Sequence, residues 1–384
     1  MRISRSLIHA LMCALTVTLC VGANADNQLL ATATYGYDSN PFKLSSPEGT
    51  ESGAQYKTLL LKYQGDNQRQ GSSTKANLRY SADLQKQLYS HSISAGDSSI
   101  LKGHISWIER FKLAKRKANL RLSADLRSEQ NTYYSQIQRQ VAETGNGDLM
   151  GDRFSFDSLE LSAELTYYQN KKTSWSLLSR IGQRDYQSDY EDIGLEPLDY
   201  DEFRLQPGLR YKADSGLNAR LFVYHKSRRY KGLHNGPDND SSLVEYSLNG
   251  YGLVLSKSFK QRIDTSVYFS GYFARDNGMG IRDLDFHKLV AKFNYQLGDD
   301  AEITVKAEAR WQGYLDLKLS PEESQIGSSG NSRRGTVFEL GYSRSLASEA
   351  IRGSIYLRRE YEENALVELG YQRQIVAIGL HYQL

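Results

Sequence analysis

Apolar and polar residues alternate one by one through most of this chain, and that period of two constrains its fold more than anything else. Ala76, Leu78, Tyr80 and Ala82 interleave with Lys75, Asn77, Arg79, Ser81 and Asp83. Ala118, Leu120, Leu122, Ala124 and Leu126 interleave with Asn119, Arg121, Ser123, Asp125 and Arg127. The same holds for Ile303, Val305, Ala307, Ala309 and Trp311 against Thr304, Lys306, Glu308, Arg310 and Gln312. It returns in Ile351, Gly353, Ile355 and Leu357 against Arg352, Ser354, Tyr356 and Arg358. Successive side chains of a strand point to opposite faces, so each segment reads as a strand with one apolar and one water-facing side.

A soluble sandwich alternates too, so strand length, connections and composition decide. Sixteen strands are expected near 28–38, 55–64, 73–84, 100–111, 117–127, 156–168, 174–185, 202–212, 217–228, 243–256, 262–273, 286–297, 301–314, 335–346, 350–361 and 367–384. Most approach the ~10 residues that cross a bilayer with tilt. The seventh, tenth and last have a mixed phase, which leaves fourteen or eighteen strands open. Short turns at 169–172, 213–216, 298–300 and 347–349 separate long loops at 39–54, 128–155, 186–201, 229–242, 274–285 and 315–334. Short turns at one end and long loops at the other are the asymmetry of a transmembrane barrel.

Composition agrees. Among 384 residues there are 27 Tyr against 12 Phe, and the mean hydropathy is −0.58. Beyond the N-terminal segment no stretch reaches the ~20 apolar residues of a spanning helix. An aromatic content of 11% speaks against disorder. A net charge of +3 speaks against a nucleic-acid partner. Aromatic residues gather at strand ends. Tyr35, Tyr37, Phe203, Phe273, Trp311 and Tyr361 would mark one girdle, and Tyr63, Trp107, Phe111, Tyr167, Trp175, Tyr211 and Tyr295 the other.

The N-terminus carries Arg2 and Arg5, an apolar run from Leu7 to Val21, and Ala23-Asn24-Ala25. This is the pattern of a signal peptide over 1–25, followed by a single barrel domain over 26–384. Cys13 and Cys20 both fall in the leader, so the mature chain offers no disulfide, thiol nucleophile or Cys-bound metal.

The closing residues Val376, Ile378, Leu380, Tyr382 and Leu384 alternate up to the C-terminus and resemble the terminal β-signal of bacterial outer-membrane proteins, although Leu stands where Phe is commoner. Tyr35-Gly36-Tyr37-Asp38-Ser39-Asn40 resembles the Tyr-Asp-x-Asn segment found early in many porin-like barrels. The mature chain as a whole resembles the outer-membrane β-barrel proteins of Gram-negative bacteria. That resemblance implies an all-β, antiparallel, up-and-down barrel in the outer membrane. It also implies contact with lipid and lipopolysaccharide, and delivery by the barrel-assembly machinery.

Chemistry is sparse. There is no Gly-x-Ser-x-Gly elbow and no His-Glu-x-x-His. His104 and His381 fall on the water-facing phase, where a histidine lines a wall more often than it catalyses. No enzyme activity, cofactor or metal site is expected. The acidic stretch 185–202 contains Asp185, Asp189, Glu191, Asp192, Glu196, Asp199, Asp201 and Glu202. Carboxylates of this kind hold Ca²⁺ through oxygen, but their order matches no EF-hand, and a solvated loop is the plainer reading.

The inward face carries the functional signal. Lys75, Arg79, Arg121, Arg127, Arg204, Arg210, Lys288, Lys292, Lys306, Arg310, Arg352 and Arg358 would line the pore opposite Asp83, Asp125, Glu160, Glu164, Glu302, Glu308, Glu339 and Glu360. Such density suits a water-filled lumen, where it either favours anions or braces the wall as a salt-bridge lattice. The loop 128–155 follows the fifth strand, as does the loop that constricts general porins. If inserted, it would bring Tyr133, Tyr134, Arg139 and Glu143 against Arg79, Arg121 and Arg127. The expected function is a porin-like channel for polar or anionic solutes or a glycan. Export or assembly of a surface polysaccharide, and a structural or adhesive barrel, are the alternatives.

Overall fold

The computed structural model describes residues 26–39, 53–67, 76–89, 97–131, 155–186, 198–234, 242–259, 262–277, 283–314, 332–348, 350–364 and 370–383. Sixteen strands fill them. They are β1 (Asp26–Asp38), β2 (Ala54–Asn67), β3 (Ala76–Tyr89), β4 (Ser98–Leu113), β5 (Arg116–Asn131), β6 (Phe156–Tyr168), β7 (Thr173–Tyr186) and β8 (Tyr200–Lys212). The second half comprises β9 (Asn218–His234), β10 (Leu243–Phe259), β11 (Ile263–Asp276), β12 (Leu284–Leu297), β13 (Ala301–Tyr314), β14 (Ser332–Ser348), β15 (Ile351–Asn364) and β16 (Tyr371–Gln383). Each strand pairs antiparallel with its sequence neighbours, and β16 returns to β1, so the sheet closes on itself. The mixed phases of the seventh, tenth and last strands therefore hide three ordinary strands, and the count is sixteen.

Closure explains the exterior. The apolar phase points outward, where Leu59, Leu122, Ile181, Leu221, Phe338 and Ile355 are all exposed. An apolar residue left uncovered on every strand suits hydrocarbon and not water. All six expected outer-girdle residues (Tyr35, Tyr37, Phe203, Phe273, Trp311 and Tyr361) are exposed on this face, as are Trp175 and Tyr211 of the other girdle.

Several strands run further than their apolar phase. β5 continues to Asn131 and β9 to His234, into stretches expected to be loop, while β3 lies a few residues later than 73–84. Beyond the lipid both faces of a strand meet water, so pairing goes on with no alternation to mark it. At the opposite end the turns are tight. β4 and β5 are joined by Ala114 and Lys115 alone, both with left-handed φ of 48° and 65°. That is the backbone of a type I′ hairpin, which accommodates the twist of the strands.

Aromatic rings on the inner face lie flat. Gly250 and Gly252 on β10 stand directly opposite Tyr224 and Phe222 on β9. A Cβ on either glycine would fall 2.2 Å from a ring atom, so each ring covers its partner glycine and hugs the wall.

Candidate solute pathway through the lumen

The inner face divides into two regions of different chemistry. From β12 to β1 it is a continuous lattice of paired charges. Lys288 lies 2.7 Å from Glu308, Lys306 3.1 Å from Glu339, and Arg358 3.1 Å from Glu339 and 3.2 Å from Glu360. Glu360 is 1% exposed and also accepts from Arg310 at 3.3 Å and from the Tyr371 hydroxyl at 2.7 Å. Arg373 completes the run, 3.8 Å from Glu360 and bound to Asp38 on the first strand. Each of the acids just named meets at least one cation, so the lattice braces the wall.

From β3 to β9 the face is more open. A cavity of about 650 Å³ lies against Arg79, His104, Arg121, Asp125, Arg180 and Arg220, among other lining residues. Arg79 is held by Asp66 at 3.1 Å, Arg121 by Glu164 at 3.5 Å, and His104 by Asp125 at 2.7 Å. Arg210 and Arg220 stand directly opposite one another near the tight-turn end. Toward the long-loop end, arginines stack on aromatic rings. Arg184 lies 4.0 Å from the Phe156 centroid, Arg228 4.0 Å from Tyr200, and Arg204 4.1 Å from Tyr224. A guanidinium over a ring face keeps its hydrogen-bond donors while its orientation is fixed.

Several of the pore-lining candidates make contacts on the inner face. Arg127 pairs with Glu129, Arg204 donates to Gln206 at 2.5 Å, and Arg352 donates to the Ser343 hydroxyl at 3.4 Å. Lys306, Glu308, Arg310 and Arg358 sit in the lattice, and Arg210 lines the cavity. Lys75, the loop residues Tyr133, Tyr134, Arg139 and Glu143, and Leu384 lie outside the described residues. Val376, Ile378, Leu380 and Tyr382 all face outward and are exposed, as a lipid-facing terminal strand requires.

Sequence reading missed Arg180, Arg184, Lys226 and Arg228. All four were readable as the polar phase of β7 and β9, but Leu177-Leu178 interrupts the alternation of β7, and β9 ends in a run of charge. It also missed Asp38 and Arg373, whose partnership depends on which strands meet at closure.

The acidic stretch is partly described. Asp185 and Asp201 both lie near Lys231, at 3.4 and 3.1 Å, and Glu202 lies 2.5 Å from Lys226 and 3.1 Å from Arg228. Among the described residues no group of three or more His, Cys, Asp or Glu is arranged to hold a metal. His381 sits between the hydroxyls of Thr32 and Ser354, and His104 is bonded to Asp125. Neither histidine joins a hydroxyl and a carboxylate at once among the described residues.

No family model matches the chain, and no curated protein matches its sequence. Solved structures do resemble it. OccAB2 of Acinetobacter baumannii superposes with a TM-score of 0.46 at 10% identity, covering 94% of this chain and 98% of that one. An anion-selective porin from Comamonas acidovorans gives 0.45 at 10% identity, covering 94% and 99%. A bacterial polysaccharide outer membrane secretin gives 0.46 at 9% identity, covering 93% and 98%. At these identities the likeness concerns fold alone. The chain itself is a closed, sixteen-stranded antiparallel barrel, apolar outside and charged within.

Proposed function

We propose that the barrel is a channel of the outer membrane that passes polar solutes and prefers anions. The observation that carries this reading is the distribution of charge across the wall. The outward phase is apolar, while the inward phase of nearly every strand bears ionised side chains. Charge at this density is costly in a dry interior and natural in a wet one. A ring of sixteen strands is wide enough to leave water between its walls, whereas eight would be filled by side chains. The preference for anions rests on the β3–β9 region, where Arg184, Arg204 and Arg210 lack a carboxylate partner among the described residues. A surplus of fixed positive charge raises the local concentration of anions.

Planar-bilayer recording on the refolded protein tests this. Stepwise conductance is expected, with a reversal potential in a potassium chloride gradient that reports chloride over potassium. No conductance from a folded barrel would remove the channel reading, and a cation-selective reversal potential would remove the preference. Contact with lipopolysaccharide and delivery by the assembly machinery belong to the same proposal.

A further inference from the structure

Three cations face one another directly across neighbouring strands of the lumen wall. Arg180 on β7 is opposite Arg204 on β8, and Arg204 is opposite Lys226 on β9. Like charges in opposed positions destabilise a sheet unless something answers them. The outer two are answered, Arg180 by Glu160 at 3.0 Å and Lys226 by Glu202 at 2.5 Å. The middle one is not. Among the described residues Arg204 has only the neutral Gln206 oxygen and the Tyr224 ring, and its Nε is buried without an acceptor there.

Further along the same face of β7, Arg184 repeats the situation. It stacks on Phe156 and approaches Tyr200 at 5.4 Å, and has no hydrogen bond or ion pair among the described residues. Gly182 stands between Arg180 and Arg184. A Cβ there would meet nothing closer than 3.5 Å, so the wall is recessed at this point. The residues beside Gly182 in register are Glu160 and Glu202, each already bound to cations, Glu202 to both Lys226 and Arg228. Across these rows of β6 to β9, the five cations just named outnumber the carboxylates of Glu160 and Glu202.

We propose that Arg180, Arg184 and Arg204 form a binding site, seated at Gly182, for a bidentate oxyanion carried by the solute, either a carboxylate or a phosphoryl group. The inference deepens the channel reading and rests on it for its purpose. Guanidinium forks match the paired oxygens of both groups, which chloride lacks. Aromatic stacking fixes Arg184 and Arg204 in place, so less order is lost on binding. The flanking acids and the open lumen keep the site weak enough to release its ligand.

The test is equilibrium binding by calorimetry to the full-length refolded barrel in detergent, with citrate and inorganic phosphate as the two probes. Arg204→Gln is expected to weaken binding roughly 10- to 100-fold, the loss of one charge-assisted contact. Arg204→Lys keeps the charge but not the fork and is expected to fall between. Gly182→Asp fills the recess with a carboxylate and is expected to abolish binding. Arg352→Gln removes the same charge from another part of the lumen and is expected to change affinity by less than about twofold. Heat-modifiable gel mobility confirms that each variant is a folded barrel.

Equal binding by the wild-type protein and Arg204→Gln overturns the site, and so does an equal loss in Arg352→Gln. The stronger probe identifies the oxyanion. Conductance without binding overturns the site and leaves the channel, whereas binding without conductance supports the site and overturns the channel.

Discussion

The Arg373 guanidinium on the last strand grips the Asp38 carboxylate on the first, its Nε 3.0 Å from both oxygens and its Nη2 2.5 Å from Oδ2. Asp38 is fully buried, and the Tyr89 hydroxyl donates to the same oxygen at 3.0 Å. Breaking a buried pair by removing one member strands the other. Asp38→Asn should therefore cost about 3–5 kcal/mol. Urea unfolding in micelles, followed by tryptophan fluorescence, measures it. Asp38→Leu combined with Arg373→Met should recover much of the loss, and a double variant no better than the single would mean that the pair is not the source.

Glu360 is the hub of the lattice, with Arg310, Arg358, Arg373 and Tyr371 all directed at it. Glu360→Gln should lower stability by about 1.5–3 kcal/mol through weakened charge-assisted bonds. It also uncovers positive charge in the lumen, so chloride permeability relative to potassium should rise. A reversal potential unchanged from wild type would show that this wall is remote from the ion path.

The β4–β5 turn holds two residues with side chains in left-handed backbone, a conformation that disfavours L-residues by roughly 1–2 kcal/mol each. Lys115→Gly should accordingly stabilise the barrel by up to about 1 kcal/mol after the larger unfolded-state freedom of glycine is deducted, seen as a higher urea midpoint. A lower midpoint would contradict the turn geometry.

The outward positions of β16 face lipid. Ile378 is 58% exposed near mid-strand, so Ile378→Arg should cost about 2–4 kcal/mol. Charged replacements at Tyr382 and Leu384 together should instead block assembly, since recognition of the terminal strand fails before stability matters. Normal outer-membrane levels of that double variant would reject the terminal-signal reading.

Orientation follows from the connections. Epitope tags within 135–150, 190–198 or 322–332 should be reachable by antibody on intact cells. Tags at 170–172, 214–216 and 298–300 should be reachable only after the membrane is permeabilised. Labelling of the second set on intact cells would invert the barrel.

Strand number and facing could be read from the sequence because a period of two survives wherever one face meets lipid and the other water. The signal fails where those conditions fail. Residues 229–234 at the end of β9 pair beyond the lipid with no apolar phase, and so resembled a loop. Leu178 faces inward on β7 and breaks the alternation that would have assigned Arg180 and Arg184 to the lumen. Charge pairing was beyond reach for a different reason. The link between Arg310 and Glu360, fifty residues apart, depends on the register of two intervening hairpins, and composition carries no information about register.

Closure also has a consequence in time. Asp38 and Arg373 are separated by 335 residues, so the seam is the last contact the ribosome makes possible. Until β16 has been synthesised and delivered, β1 offers an unpaired row of amides and carbonyls that any other strand can add to. A truncation that removes β16 would therefore leave that edge of β1 open permanently.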